Sequence, residues 1–335
     1  MIDGEQPPAQ RDDLDEAGQS LAHVGEIALA LLDARAAGSV VEIGARGGDF
    51  TRALADRAST LDGRVIAIDP APQDGLVELA RKRPELELVR QPSIDALRRI
   101  ELADAVIVDG DHNYFTVSEE LRLIEERAAG GDLPLLLFHD VCWPHARRDT
   151  YYAPARIPER DRQPIVENAA LAPGEPGVAH AGLRYRWAAA REGGPRNGVL
   201  TAIEDFVDAR DGLRLAIVPI FYGLGALWRL DAPWASAAAA AVDPLDRDPV
   251  LERVEEHRIA NLVERYRHAQ ELGEIEIMRR QRARDAERVR LLRTMLGSRA
   301  FAWGERLSRM RKGGRPTFSR EEVRRALGDD AEGGR

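Results

Sequence analysis

The stretch "ADAVIVDGDHNYF" (103–115) is an apolar run that ends in Asp109, Asp111 and His112, and a second run, "LPLLLFHD" (133–140), ends in His139 and Asp140. Carboxylate oxygens beside imidazole nitrogens suit a divalent cation, Mg2+ where oxygen dominates and Mn2+ where nitrogen joins. An imidazole in such a place also accepts a proton near neutral pH. Asp111 either orients His112 or reaches the metal, and residue types leave both open. The bland alternative is a polar turn or helix cap at Asp111-His112-Asn113, since Asp and Asn favour such places.

A third chemical element precedes these. "VVEIGARGGDFT" (40–51) places Glu42 in a strand, turns through Gly44, Gly47 and Gly48, and enters a helix. A tight glycine turn there lets a ligand approach the backbone closely. Its omissions are informative: no Gly-Lys-Ser/Thr ending marks a P-loop, and Glu42 occupies the position where a dinucleotide fingerprint needs glycine. A carboxylate at that point repels a pyrophosphate and attracts an ammonium group. Asp69, 21 residues past Gly48, ends the next run in the place of a carboxylate that holds ribose hydroxyls. One acid for an amino group and one for a ribose describe S-adenosylmethionine, which carries no phosphate. Ser93 and Ile94, just after the third run, fall where the adenine edge would lie.

These residues need strands to place them. Seven strand-like runs occur, at 39–44, 64–69, 86–90, 104–109, 133–140, 213–220 and 225–230, and helix-like segments separate the early ones. Four are continuously apolar, as expected when helices cover both faces of a mostly parallel sheet. The predicted fold is therefore α/β, a doubly wound seven-stranded sheet whose ligands lie beyond the carboxyl ends of the strands. A leader and helix occupy residues 1–38, with Gly38 expected as the C-cap. The sheet domain spans 39–235 and contains a Pro/Arg/Tyr/Gly-rich loop at 141–197 that should form the substrate pocket. In it Trp143 offers an apolar or sugar-stacking face, and His145, Arg147, Arg148, Tyr151 and Tyr152 could bind a polar acceptor or simply pack. Asn197 is the expected N-cap of the following helix.

Residues 246–330 read as a charged helical arm. Its stripe of Val254, Ile259, Leu262, Val263, Tyr266 and Ala269 drifts out of heptad register, so packing on the body or on a second subunit is expected rather than a long coiled coil. "SRAFAWGERLSRMRK" (298–312) has the pattern of a helix in weak contact with a membrane surface, or of a solvated face over a packing stripe. Arg279 to Arg325 holds 16 Arg/Lys against 5 Asp/Glu, so the remainder of this chain of net charge −9 carries −20. An acidic body argues against a nucleic-acid footprint. The single cysteine, Cys142, forms no intrachain disulfide, and the acidic, polar N-terminus lacks the features of a signal peptide. A cytoplasmic protein is expected.

The order "EIGxxxG…AIDP…DAVIVDGDH…LLLFHD" resembles the class I S-adenosylmethionine-dependent methyltransferases. More narrowly it is similar to the metal-dependent group of macrocin-type and mycinamicin-type sugar O-methyltransferases and cephalosporin-hydroxylase-like proteins, over about Ser39 to Leu230. The resemblance implies O-methylation of a sugar or glycoside hydroxyl, with Asp109 and Asp140 as metal ligands and His112 as general base. His139 stands where that group often has a carboxylate; a nitrogen there keeps a metal site but lowers its charge. Two alternatives stay open: a metal-independent methyltransferase with His112 alone as base, and a non-catalytic cofactor-binding scaffold that partners a glycosyltransferase.

Overall fold

The computed structural model describes residues 19–128 and 133–297. The leader residues 1–18 and the segment 298–330 of the arm, with its expected membrane-surface helix and most of its basic tail, lie outside the described residues. The chain divides into two units, Met1–Tyr266 and Arg267–Arg335.

In the first unit, strands and helices alternate: α1 (Gly25–Ala34), β1 (Ser39–Ile43), α2 (Asp49–Leu61), β2 (Arg64–Ile68), α3 (Asp74–Lys82), β3 (Leu86–Val89), α4 (Ser93–Leu97), β4 (Ala105–Val108), α5 (Tyr114–Arg127) and β5 (Leu135–Phe138). The hairpin strands β6 (Ile165–Leu171) and β7 (Leu183–Ala189) follow, then α6 (Val199–Asp208), β8 (Leu213–Val218), β9 (Leu224–Arg229), α7 (Ala235–Val242) and α8 (Pro249–Gly297). The main sheet runs β3-β2-β1-β4-β5-β9-β8. β1 to β5 are mutually parallel, and β9 is antiparallel to both neighbours. Strand order reverses between β1 and β4, which places the ends of β1, β2, β4 and β5 around one crevice.

The apolar runs fold this way because both faces of each strand are buried. Val40, Ala105, Ile107, Leu135 and Leu137 pack with α1, α2, α3 and α7 in one core. Their neighbours Val41, Val106, Val108, Leu136 and Phe138 pack with α4, α5 and α6 in the other. Successive strand residues point to opposite faces, so a run without polar alternation is what a two-faced core requires.

Two expected caps differ. Helix α1 ends at Ala34, and Ala36 takes the left-handed position at φ 51°. The Ala37 N–H then closes the helix on the Leu32 carbonyl, while the Gly38 N–H donates to Asp104. The N-cap position of α6 is Gly198 at φ 92°. Asn197 instead accepts from the Asp149 N–H and donates to the Arg191 and Gly193 carbonyls, so it ties the loop together.

The 141–197 segment contains the β6–β7 hairpin, which sequence reasoning missed. "LRYRWAA" alternates Leu183, Tyr185 and Trp187 with Arg184 and Arg186, the period-two signal of a strand with one wet face. Against this hairpin pack Ile259, Leu262 and Val263 of α8; of the drifting stripe, Val254 stays exposed and so does Ala269. In the second unit, the described residues continue α8 as a helix whose described side chains are mostly exposed. No helix among the described residues is long and apolar enough to cross a membrane.

Asp104 fastens the start of β1 to β4: it accepts from the Gly38 and Ser39 N–H groups, both at 2.9 Å, and from the Ser39 hydroxyl at 3.0 Å. Partial burial pulls its carboxyl upward, but these donors and Arg35 win and hold it below the ordinary value. A folded-state value below the unfolded one means the stabilisation is present above the ordinary carboxylate range and is lost as pH falls through the depressed value. With a third of the side chain exposed, we expect Asp104→Asn to cost about 1 kcal/mol at neutral pH. In chemical denaturation its deficit against the parent should shrink below about pH 4.

Candidate active site

The glycine turn is built on backbone contact. Gly44 sits at φ 89°, and a Cβ there would lie 1.9 Å from the Asp109 carbonyl oxygen, so the ends of β1 and β4 meet without a side chain between them. Gly48, at φ 86°, opens α2. Gly47 faces Gln73, whose amide oxygen a Cβ would approach to 3.0 Å. Asp69 shapes the same turn: one oxygen accepts from the Arg46 N–H and the other from the Ala71 N–H, each at 2.8 Å. A carboxylate has about four acceptor positions, so Asp69 keeps capacity for hydroxyl donors.

Glu42 is buried on β1 and accepts from the Thr51 hydroxyl of α2. Burial pushes its carboxyl up to about 8; Thr51 opposes this, and Asp109, Asp69 and Asp49 add to it. Burial therefore favours its protonated form until a cation comes near. Ser93 and Ile94 open α4 on the far side of the switch point. Ser93 stands beside Glu120 of α5, a wholly buried acid that sequence reasoning missed and that burial raises to about 8 against the pull of the Ser93 hydroxyl.

The ends of β4 and β5 bring Asp109, His112, His139 and Asp140 together. His112 Nε2 lies 2.8 Å from Asp140 Oδ2 and 3.9 Å from Asp109 Oδ1. His139 Nδ1 lies 3.3 Å from Asp109 Oδ1 and 3.4 Å from Asp140 Oδ2. His139 Nε2 is 2.8 Å from the Phe221 carbonyl oxygen; a carbonyl only accepts, so Nε2 carries the hydrogen and Nδ1 faces the carboxylates. His145 Nε2 stands 3.9 Å from Asp140 Oδ1, and the His112 and His145 rings are 4.4 Å apart.

Electrostatics follow from this crowding. Burial alone would lower His112 and His139, but Asp140 and Asp109 hold both well above the ordinary histidine value. Burial would raise Asp140, but His112, His139 and His145 hold it well below the carboxylate range. His145 has no such net support: burial outweighs Asp140 and pushes it down to about 3, so it is neutral.

Other expected site residues are placed elsewhere. Asp111 accepts from the Tyr152 N–H and the Thr116 hydroxyl, which gives it a structural task outside the metal-competent groups Asp109–His139–Asp140 and His112–Asp140–His145. The cap of α5 is Asn113, which accepts from the Thr116 N–H, so the bland reading holds for that residue. Arg148 is buried with its guanidinium on the Ala189, Pro176 and Gly177 carbonyls. The hydroxyl of Tyr151 donates to Asp149. Trp143 is half-buried against the hairpin with Tyr185 and Val166. These three, expected to bind substrate, pack the loop instead, because a long loop has backbone carbonyls and apolar area that its own side chains must satisfy. His145 is likewise inside, against Thr150 and Tyr185, and Arg147 pairs with Glu204. Tyr152 alone stands open, 70 % exposed, with its ring 5.8 Å from that of His112.

The segment holding the turn and both strand ends, residues 41–141, matches the family described as a methyltransferase domain. Over that segment the chain is similar to methyltransferase domains. Among solved structures, this chain is similar to the Podospora anserina methyltransferase PaMTH1, crystallised with S-adenosylhomocysteine (TM-score 0.40, 15 % identity, 68 % of this chain and 100 % of that one). It is also similar to a methyltransferase from Geobacter sulfurreducens (0.36, 16 %, 68 % and 94 %) and to DesVI of Streptomyces venezuelae (0.38, 13 %, 65 % and 96 %). No curated protein matches the chain.

Glu42 supplies a pH test. Its folded-state value lies above the ordinary 4.5, so the protonated acid is tolerated in acid and the parent loses stability as pH rises from there towards about 8. Glu42→Gln mimics the protonated acid. Its melting temperature relative to the parent should rise steadily between about pH 5 and pH 8, and a flat difference would show that Glu42 is ionised throughout.

Proposed function

We propose that the chain transfers a methyl group from S-adenosylmethionine to a hydroxyl oxygen of a sugar or glycosylated small molecule, with a divalent metal assisting. The observation that supports this most is the convergence of Asp109, His112, His139 and Asp140 beside the Gly44 turn. An exposed aromatic face at Tyr152, next to His112, supports a sugar as acceptor.

S-adenosylmethionine, when bound, supplies a methyl group already activated on a sulfonium. The chain holds it through the open backbone of Gly44–Gly48, the spare acceptor positions of Asp69 for ribose hydroxyls, and Glu42 for the amino group. Fixing acceptor and methyl group in line supplies much of the rate.

The donor set fits a divalent cation. His139 Nδ1 stands 3.3 Å from Asp109 Oδ1 and 3.4 Å from Asp140 Oδ2, close to the spacing of adjacent ligands around an ion with bonds of about 2.1 Å. His139 turns Nδ1 inward, with its other nitrogen held by a carbonyl as metal-bound imidazoles require. Two carboxylates draw two histidines towards the cationic form, and a dication would provide the same charge. Asp109, His139 and Asp140 would hold the ion, and with this nitrogen share Mn2+ suits the site better than Mg2+. Bound there, it would lower the pKa of an acceptor hydroxyl as it does that of water; by meeting the carboxylate charge that otherwise keeps His112 protonated, it would leave that imidazole free to accept the proton.

One distance favours a second reading. His112 Nε2 is 2.8 Å from Asp140 Oδ2, yet it is buried and makes no hydrogen bond of acceptable geometry. Such a contact also suits two ligands of one ion, in which case His112 is a fourth ligand. His112→Ala separates the readings. As a base, its loss should cut methyl transfer by about 10²–10⁴-fold and leave Mn2+ affinity, read by electron paramagnetic resonance, unchanged; as a ligand, its loss lowers both. Turnover that persists unchanged after EDTA would sink metal assistance, and failure of S-adenosylhomocysteine to bind at millimolar concentration by calorimetry would refute the cofactor.

A further inference from the structure

The turn between β8 and β9 holds Phe221, Tyr222 and Gly223 at φ 50°, 64° and 91°, three consecutive left-handed residues. Gly223 adopts this freely, and a Cβ there would lie 2.5 Å from Cys142 Sγ. For Phe221 and Tyr222 the conformation is unfavourable and persists only where surroundings enforce it.

Glu255 of α8 enforces it. Its carboxylate is buried and accepts from both strained residues, from the Phe221 N–H at 3.0 Å and the Tyr222 N–H at 2.8 Å. Arg258, one turn on, donates to both carboxylate oxygens at 2.7 Å. Its guanidinium also lies 5.3 Å and 4.5 Å from the ring centroids of Phe221 and Tyr222. The Tyr222 carbonyl is taken by the Cys142 N–H at 2.7 Å. What the clamp leaves pointing inward is the Phe221 carbonyl, which receives His139 Nε2–H at 2.8 Å.

We propose that Glu255 is a positioning residue for the candidate centre: by fixing two consecutive amides of this turn it aims the Phe221 carbonyl, which holds the His139 ring with Nδ1 towards Asp109 and Asp140. The inference rests on the proposed function only in giving His139 a part in the reaction. Groups that orient an imidazole from outside its ligand sphere typically matter by 10–100-fold in metal affinity or activity.

The test uses the full chain labelled with 15N-histidine. The parent should show a ring N–H proton of His139 protected from exchange, assigned by its loss in His139→Gln. Glu255→Gln presents an NH2 to one of the two amides; it should shift or broaden that resonance and weaken Mn2+ binding about tenfold. Affinity for S-adenosylhomocysteine should stay within about twofold, which a general loss of structure would not allow. A Glu255→Gln protein with the parent's His139 resonance and the parent's Mn2+ affinity overturns the proposal. If that variant fails to fold, Arg258→Met leaves Glu255 in place but loosens it; a smaller change of the same kind is expected, and no change overturns it. If the parent itself binds no Mn2+, the metal reading falls, and the ring N–H resonance still decides whether Glu255 positions His139.

Discussion

Two carboxylates at the ends of adjacent parallel strands set the terms for the region around them. Asp109 follows β4 and Asp140 follows β5, and parallel pairing of Val108 with Phe138 leaves no freedom to separate them. Negative charge gathered at a largely dry strand edge needs positive partners or hydrogen-bond donors. His112, His139 and His145 are drawn in for that reason, each from a different segment. An imidazole between two carboxylates is useful only in one orientation, which makes the Phe221 carbonyl, and the turn that carries it, part of the site.

Strand ends were the most legible feature of the sequence because their cause is simple. Buried two-faced strands must be apolar, so the first charged residue after each run marks where the chain leaves the core, and Asp69, Asp109 and Asp140 were found by that rule alone. Glu42 was legible as a polar residue that interrupts a run. The glycines at 44, 47 and 48 were visible as a turn, though part of the reason for Gly44 lies elsewhere: it makes room for the backbone of Asp109, a contact between segments 65 residues apart that no local pattern reports.

What the sequence hid is long-range partnership. Arg148 and Tyr151 have the residue types of a binding pocket, yet their neighbours are carbonyls and Asp149 of the loop itself. Asp149 shows the same thing from the other side: its carboxylate accepts from the Tyr114 and Gly198 N–H groups and the Tyr151 hydroxyl, joining the start of α5, the loop and the start of α6, and nothing in "ARRDTYY" marks it out. Glu255 is one acid among many in a charged helix; only the fold shows that, among the described residues, it alone of these acids is buried, against a strained turn.

The long loop and the first turns of α8 therefore belong to the site as much as the sheet does. The sheet fixes where Asp109 and Asp140 stand but not which way an imidazole faces them. That second condition is met by elements late in the chain: the Thr150 N–H takes the His112 carbonyl at 2.9 Å, and Glu255 holds the turn behind His139. A strand edge can place carboxylates by backbone register alone, whereas aiming a ring needs a second contact on its far side. That need gives a chain with a complete sheet a physical reason to retain a hairpin-bearing loop and a helix packed behind it.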